Sequence, residues 1–150
     1  MSRFHRRMRL PNRCSRISSP GKTQDNVARI LVIDDAPDFC EFVARGLQLR
    51  HHIVSVAPDG EQGLDMQPEF QADIVITDIF MPRKDGIETI SELKANYPKV
   101  KIVAMSGGAG PFTKDRYLEM AREAGADAVL VKPFSLSELI TLVTRIDASL

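Results

Sequence analysis

The sequence predicts an α/β fold built on one open, doubly wound sheet of five parallel strands. Three observations predict it. From Ala28 onward, five short apolar runs rich in β-branched residues alternate with stretches of helical periodicity. The runs are nearly continuous in apolar residues, as strands covered on both faces require, rather than alternating apolar with polar. Five such β–α units fit within about 120 residues, which leaves room for crossover helices and little else.

The expected strands are Ile30–Ile33, Ile53–Ala57, Ile74–Thr77, Ile102–Met105 and Ala128–Val131. After the first, "PDFCEFVARGLQLR" places Phe39, Phe42, Val43, Gly46 and Leu47 on one helical face. Pro37 suits a first helical position, and Asp38 and Glu41 suit the positive end of the dipole. The second helix is short: Asp59 and Gln62 can form a capping box, and Pro68 is expected to stop it. The third starts at Asp85 with Glu88 three residues on, carries Ile87, Ile90 and Leu93, and ends before Pro98. The fourth runs from about Thr113 to Ala124, with Gly125 beyond its end. The fifth opens on the capping box Ser135–Glu138 and turns Leu136, Leu139, Ile140 and Val143 inward. His51 and His52, after the first helix, are expected at the surface.

A chain of 150 residues suits one domain with a proper core. Its formal net charge of zero conceals a division. Residues 1–26 hold seven Lys/Arg (Arg3, Arg6, Arg7, Arg9, Arg13, Arg16 and Lys22) against one acid, Asp25. Residues 27–150 hold the remaining 13 basic and 19 acidic residues, a net of −6. The expected organisation is therefore a basic tail over 1–26, with too few apolar residues to fold alone, and an acidic domain over 27–150. The tail lacks the apolar centre of a secretory signal, and Pro11 and Pro20 interrupt the helix a mitochondrial presequence needs. An acidic domain repels phosphate, so nucleic acid is not an expected partner of the domain, although an arginine-rich arm is a sharper reading of the tail. Two cysteines, Cys14 and Cys40, with no CxxC and no zinc spacing, predict a reduced cytoplasmic protein. No run is long enough for a membrane span.

The unusual polar residues fall at strand ends. Asp34 and Asp35 follow the first strand, Asp78 the third, Ser106 the fourth and Lys132 the fifth. In such sheets the ligand crevice lies beyond the carboxyl ends of the strands. Three carboxylates, a hydroxyl and an ammonium therefore converge on one edge. Lys132 supplies one positive charge, and three acids need more than one. A divalent ion with hard oxygen ligands fits the deficit, and Mg2+ fits best because it leaves positions for water or phosphate oxygens. Each residue alone has a bland reading. Asp35 could be a cap, Ser106 part of a Gly-rich turn, and Lys132 surface decoration.

Taken together, "ILVIDDAPDF", "VITDIFMPRKDG", "VAMSGG" and "VLVKPF" resemble, in order, the strand-end motifs of the receiver domain of two-component response regulators. The resemblance covers about residues 28–148 and implies a flavodoxin-like fold with strand order 2-1-3-4-5. It implies that Asp78 is the phosphoacceptor, attacking the phosphorus of a phosphohistidine on a sensor histidine kinase or histidine phosphotransferase. Asp35 would bind Mg2+ directly, Asp34 partly through water, and Asp78 and the backbone carbonyl of Phe80 would complete the protein ligands. Lys132 and Ser106 would each meet a phosphoryl oxygen. The implied protein is a phosphoacceptor and not an enzyme beyond self-catalysed phosphorylation and slow dephosphorylation. It would be a stand-alone regulator, monomeric or weakly dimeric when phosphorylated. It would switch the surface around the fourth helix, fifth strand and fifth helix for an unknown downstream protein.

Two departures stand out. Val129 occupies the position, three before the Lys, where the family usually has Tyr or Phe, so coupling must run through the backbone or other side chains. Phe80, two after Asp78, is bulky and is expected to impede the water that hydrolyses an acyl phosphate. Three rivals remain: a receiver-like scaffold that binds partners without phosphorylation, a haloacid-dehalogenase-type phosphatase, and a nucleic-acid-binding module using the arginine-rich tail. The phosphatase would need its nucleophile within DxD on the first strand; here the acid pair comes first and Asp78 is followed by Ile79-Phe80. The loop "SGGAGPFTKD" holds neither GxGxxG nor GxxxxGK[ST].

Overall fold

The computed structural model describes residues 27–81, 83–107 and 111–150. The basic tail, Pro82 and the centre of the Gly-rich loop lie outside the described residues. The elements run β1 (Arg29–Ile33), α1 (Pro37–Gln48), β2 (Ile53–Ala57), α2 (Gly60–Phe70), β3 (Ile74–Asp78), α3 (Gly86–Asn96), β4 (Lys101–Ser106), α4 (Lys114–Ala124), β5 (Ala128–Val131) and α5 (Leu136–Ala148). The sheet is five-stranded and parallel in the order β2-β1-β3-β4-β5. This is the expected flavodoxin-like arrangement.

Alternation along each strand feeds two cores. Ile30, Val32, Ile74, Ile76, Val103 and Met105 face α1 and α5, where they meet Val43, Leu47, Leu139 and Val143. Leu31, Ile33, Val75, Ile102 and Ala104 face the other way, against Ile90, Leu93, Tyr117 and Ala121 of α3 and α4. Central strands β1, β3 and β4 are therefore buried on both sides, whereas β2 and β5 are edges with partly exposed side chains. Expecting all five runs to be fully buried overstated the edges, because nothing in a short apolar run tells an edge from a centre.

Most helix starts follow their caps. Asp59, Asp85 and Thr113 each accept a backbone N–H from three residues on, and Ser135 with Glu138 completes a reciprocal capping box. Three expectations are corrected. Pro68 does not stop α2, which continues to Phe70. Gln71 closes it in the left-handed conformation, with its N–H on the Gln67 carbonyl. The buried Gln67 amide then clamps both backbone groups of Ala72, so the end of the helix after the proline is tied to the residues beyond it. Phe42 points to solvent, and Cys40 takes the inward place beside Val43, Gly46 and Leu47. His52 is half-buried, and its Nδ1 accepts the Ala28 N–H at 3.1 Å. Burial holds that imidazole below its ordinary pKa, in keeping with a neutral ring that accepts.

Gly86 shapes the route from β3 to α3. A Cβ there would lie 2.1 Å from the Asp78 carbonyl oxygen and 2.6 Å from the Ile79 Cα, and its N–H donates to the Ile79 carbonyl. Gly86→Ala is expected to cost about 1–3 kcal/mol of unfolding free energy in denaturant titration. Gly107→Ala, whose Cβ would come no nearer than 3.6 Å to Lys132, should stay within about 1 kcal/mol of the wild type in the same titration.

Candidate functional site

The strand order decides what meets. β1 and β3 are neighbours, so Asp34 and Asp35 emerge beside Asp78. One carboxylate oxygen from each of the three lies within 4.8 Å of the others. Asp34 and Asp78 are buried, whereas Asp35 is exposed. Ser106, also buried, ends β4, which pairs with β3 up to Asp78 opposite Met105. Ser106 is opposite Val131, and the next residue is Lys132. The five residues expected at one edge do converge there.

Lys132 reaches back over the sheet. Its Nζ donates to Asp34 Oδ2 at 2.9 Å and lies 3.5 Å from Asp78 Oδ1. It also stands 4.5 Å from the centroid of the Phe39 ring, a favourable place for a cation. Burial opposes its charge, but the hydrogen bond to Asp34 and the charge of Asp78 hold the ammonium above its ordinary pKa. Asp34 is fully engaged, because Oδ1 accepts the Ala36 N–H at 3.0 Å while Oδ2 holds Lys132. Asp78 is pushed up to about 6, chiefly by burial, with Asp34 adding to the rise and Lys132 opposing it.

The donor set fits a hard dication. Three carboxylates share one ammonium, and the exposed Asp35 has the freest access to solvent. Phe80 exposes half its side chain beside this edge, while Met81 tucks into the core below α3 and α4. Two contributors were not singled out for the site in the sequence. Phe39 supplies the ring beneath Lys132, and its position four after Asp35, on the first turns of α1, was the available signal. Cys40 sits under the site and its thiol donates to the Asp34 carbonyl at 3.3 Å. Burial pushes that thiol up to about 11.

Comparison with known proteins agrees with this geometry. A family model of the response regulator receiver domain matches residues 30–144. The chain belongs to the response regulator receiver family. The transcriptional regulatory protein PrrA of Mycobacterium leprae is 38% identical over 115 residues, covering 77% of this chain and 48% of the relative. The chain thus spans about half the length of the curated relatives it matches. Among solved structures, the receiver domain of a Francisella response regulator superposes with a TM-score of 0.72 at 25% identity, over 81% of this chain and 98% of the other. The Vibrio cholerae chemotaxis protein CheY4 gives 0.72 at 25%, over 80% and 98%. Receiver domains serve two-component signalling as phosphoacceptors rather than as ordinary enzymes, and they bind Mg2+ at an acidic pocket. Response regulators partner with histidine kinases. Among the described residues, no helix is long and apolar enough to cross a membrane.

The raised pKa of Asp78 has a sign that can be checked. An acid whose folded pKa (about 6) exceeds its ordinary value (3.8) binds more protons folded than unfolded between those pH values. Its contribution to stability therefore falls as pH rises through that window. In metal-free protein, Asp78→Asn should be more stable than wild type by roughly 1–3 kcal/mol at neutral pH. The gap should close as pH falls through the window; calorimetric Tm values along a pH series measure it.

Proposed function

We propose that Asp78 is the phosphoacceptor of this receiver domain, taking a phosphoryl group from a phosphohistidine of a sensor histidine kinase or histidine phosphotransferase. The observation that carries the reading is the placement of Asp78: a buried carboxylate beside two further acids, with the Lys132 ammonium 3.5 Å away. An Asp78 oxygen attacks the phosphorus, the P–N bond breaks, and its electron pair returns to the imidazole nitrogen, which takes up a proton. Phosphoryl transfer asks the protein mainly for in-line positioning and charge stabilisation. Asp35, with Asp78 and the Phe80 carbonyl, would hold Mg2+ directly. Asp34, already bonded through both oxygens to Ala36 and Lys132, would act partly through water. The chemistry that bound Mg2+ supplies is neutralisation of charge on the phosphoryl oxygens.

Lys132 and Ser106 then meet the oxygens of the phosphorylated side chain. Ser106 and Lys132 are also joined through the main chain, since the Lys132 N–H donates to the Ser106 carbonyl at 2.9 Å. A pull on Ser106 therefore reaches the β5–α5 connection without an aromatic toggle. Val129, opposite Ala104 and half-buried against the α3–α4 core, is placed as a packing residue. This backbone link supports a switching surface formed by α4, β5 and α5, offered to a downstream protein. The domain spans 27–150 in this reading, works in the cytoplasm, and is monomeric or weakly dimeric when phosphorylated.

Incubation with acetyl phosphate or phosphoramidate and Mg2+ should give one acid-stable, base-labile phosphate. Asp78→Asn should abolish it, and Asp35→Asn should weaken it by about tenfold or more at limiting Mg2+. Labelling that persists in Asp78→Asn would overturn the assignment. The half-exposed Phe80 should shield the acyl phosphate from water. Phe80→Asn is accordingly expected to shorten the lifetime of phospho-Asp78, read by decay of the label after removal of the donor.

A further inference from the structure

Between α1 and β2 runs a groove of about 520 Å3 whose apolar walls the phosphoryl chemistry does not use. Pro37, Cys40 and Ala44 line one wall, and Val54, Val56 and Pro58 the other. Its outer wall is an edge strand, with Ile53 and Val56 partly exposed. Its mouth opens on Asp34 and Asp35. Glu41 adds a third acid to the lining, and Arg45, the one cation there among the described residues, is paired with Glu41 at 3.5 Å. The groove is thus apolar along its length and acidic at its mouth.

We propose that this groove is occupied by the chain's own residues 1–26, which bring arginine side chains to the Asp34–Asp35 mouth and compete there with cations. Charge complementarity selects this occupant: seven Lys/Arg and one acid in the segment, against an acidic mouth on a domain of net −6. Apolar Met8 and Leu10 lie between the arginines, Ile17 directly follows the last of them, and all three suit the groove's walls. The point of attachment selects it too. The segment joins the domain at the exposed Val27, and the Ile53 N–H donates to the Ala28 carbonyl at 3.0 Å, at the foot of the β2 wall. Rising from there to Asp35 takes about 20 Å, the length of β1 and the two residues beyond it. The eleven residue steps from Arg16 to Val27 extend to about 37 Å, so the arginines reach the mouth without strain.

The test uses the full chain. A nitroxide attached to Cys14 reports where the segment lies, because Cys40 is buried and stays unlabelled. Paramagnetic broadening confined to the amides of Ala44, Val54, Val56 and their neighbours is expected. Even broadening over the whole domain, or broadening on another face, would overturn the proposal. So would the same broadening of an unlabelled, isotope-enriched chain mixed with the labelled one, since it would make a second copy the occupant. A second arm rests on the reading that the acids bind Mg2+. With Arg3, Arg6, Arg7, Arg9, Arg13 and Arg16 all changed to Gln, Mg2+ should bind about five- to tenfold more tightly at low salt, with the difference gone at high salt. Equal affinities at low salt would overturn the competition. Failure of both proteins to bind Mg2+ would refute the metal reading and leave the broadening result to decide the docking.

Discussion

One ammonium held between two buried carboxylates organises this protein's working edge. Lys132 starts two strands away from Asp78, yet its Nζ lies 2.9 Å from Asp34 and 3.5 Å from Asp78. Without it, two buried acids from adjacent strands would stand side by side with no counter-charge, an arrangement that costs several kcal/mol in a low-dielectric setting. The fold makes the meeting possible. Parallel strands send all their carboxyl ends to one side, and the order β2-β1-β3-β4-β5 puts the acid-bearing strands next to each other.

The pairing is incomplete, and the chemistry follows from that. Asp34 is satisfied through both oxygens, by Lys132 and by the Ala36 amide. Asp78 has a longer contact to the ammonium, and burial pushes its pKa up to about 6. Asp35 faces solvent within reach of both. Three carboxylates against one ammonium leave the site two positive charges short when all are ionised, which makes it receptive to a dication. In the proposed function, a bound dication would leave Asp78 a carboxylate able to act as nucleophile and would free Lys132 to meet a phosphoryl group. Phe39 supplies a ring face 4.5 Å from the ammonium, and the close approach of Gly86 to the Asp78 backbone carbonyl sets the chain's path after β3.

Much of this was legible in the sequence because the signals are local. Strand ends carrying Asp34, Asp35, Asp78, Ser106 and Lys132 are read from where apolar runs stop, and caps such as Ser135–Glu138 from spacing alone. What escaped depends on tertiary contact. Pro68 looked like a helix end, since nothing local announces that Gln67 will fold back on Ala72. Phe42 looked like a core residue, but the buried stripe of α1 passes through Cys40 instead. His52 acquired a partner 24 residues away. Phe39 reads as one more apolar position until Lys132, 93 positions later, is placed over its ring.

The most direct test of the under-neutralised site is a calorimetric Mg2+ titration in two buffers of different ionisation enthalpy, which counts the protons released per ion bound. If a raised Asp78 carboxyl must ionise to complete the acidic cluster, roughly half a proton leaves per ion near pH 6, and release vanishes about two pH units higher. Binding with no proton release near pH 6, or no binding at either pH, would contradict the coupling between that carboxylate and the missing positive charge.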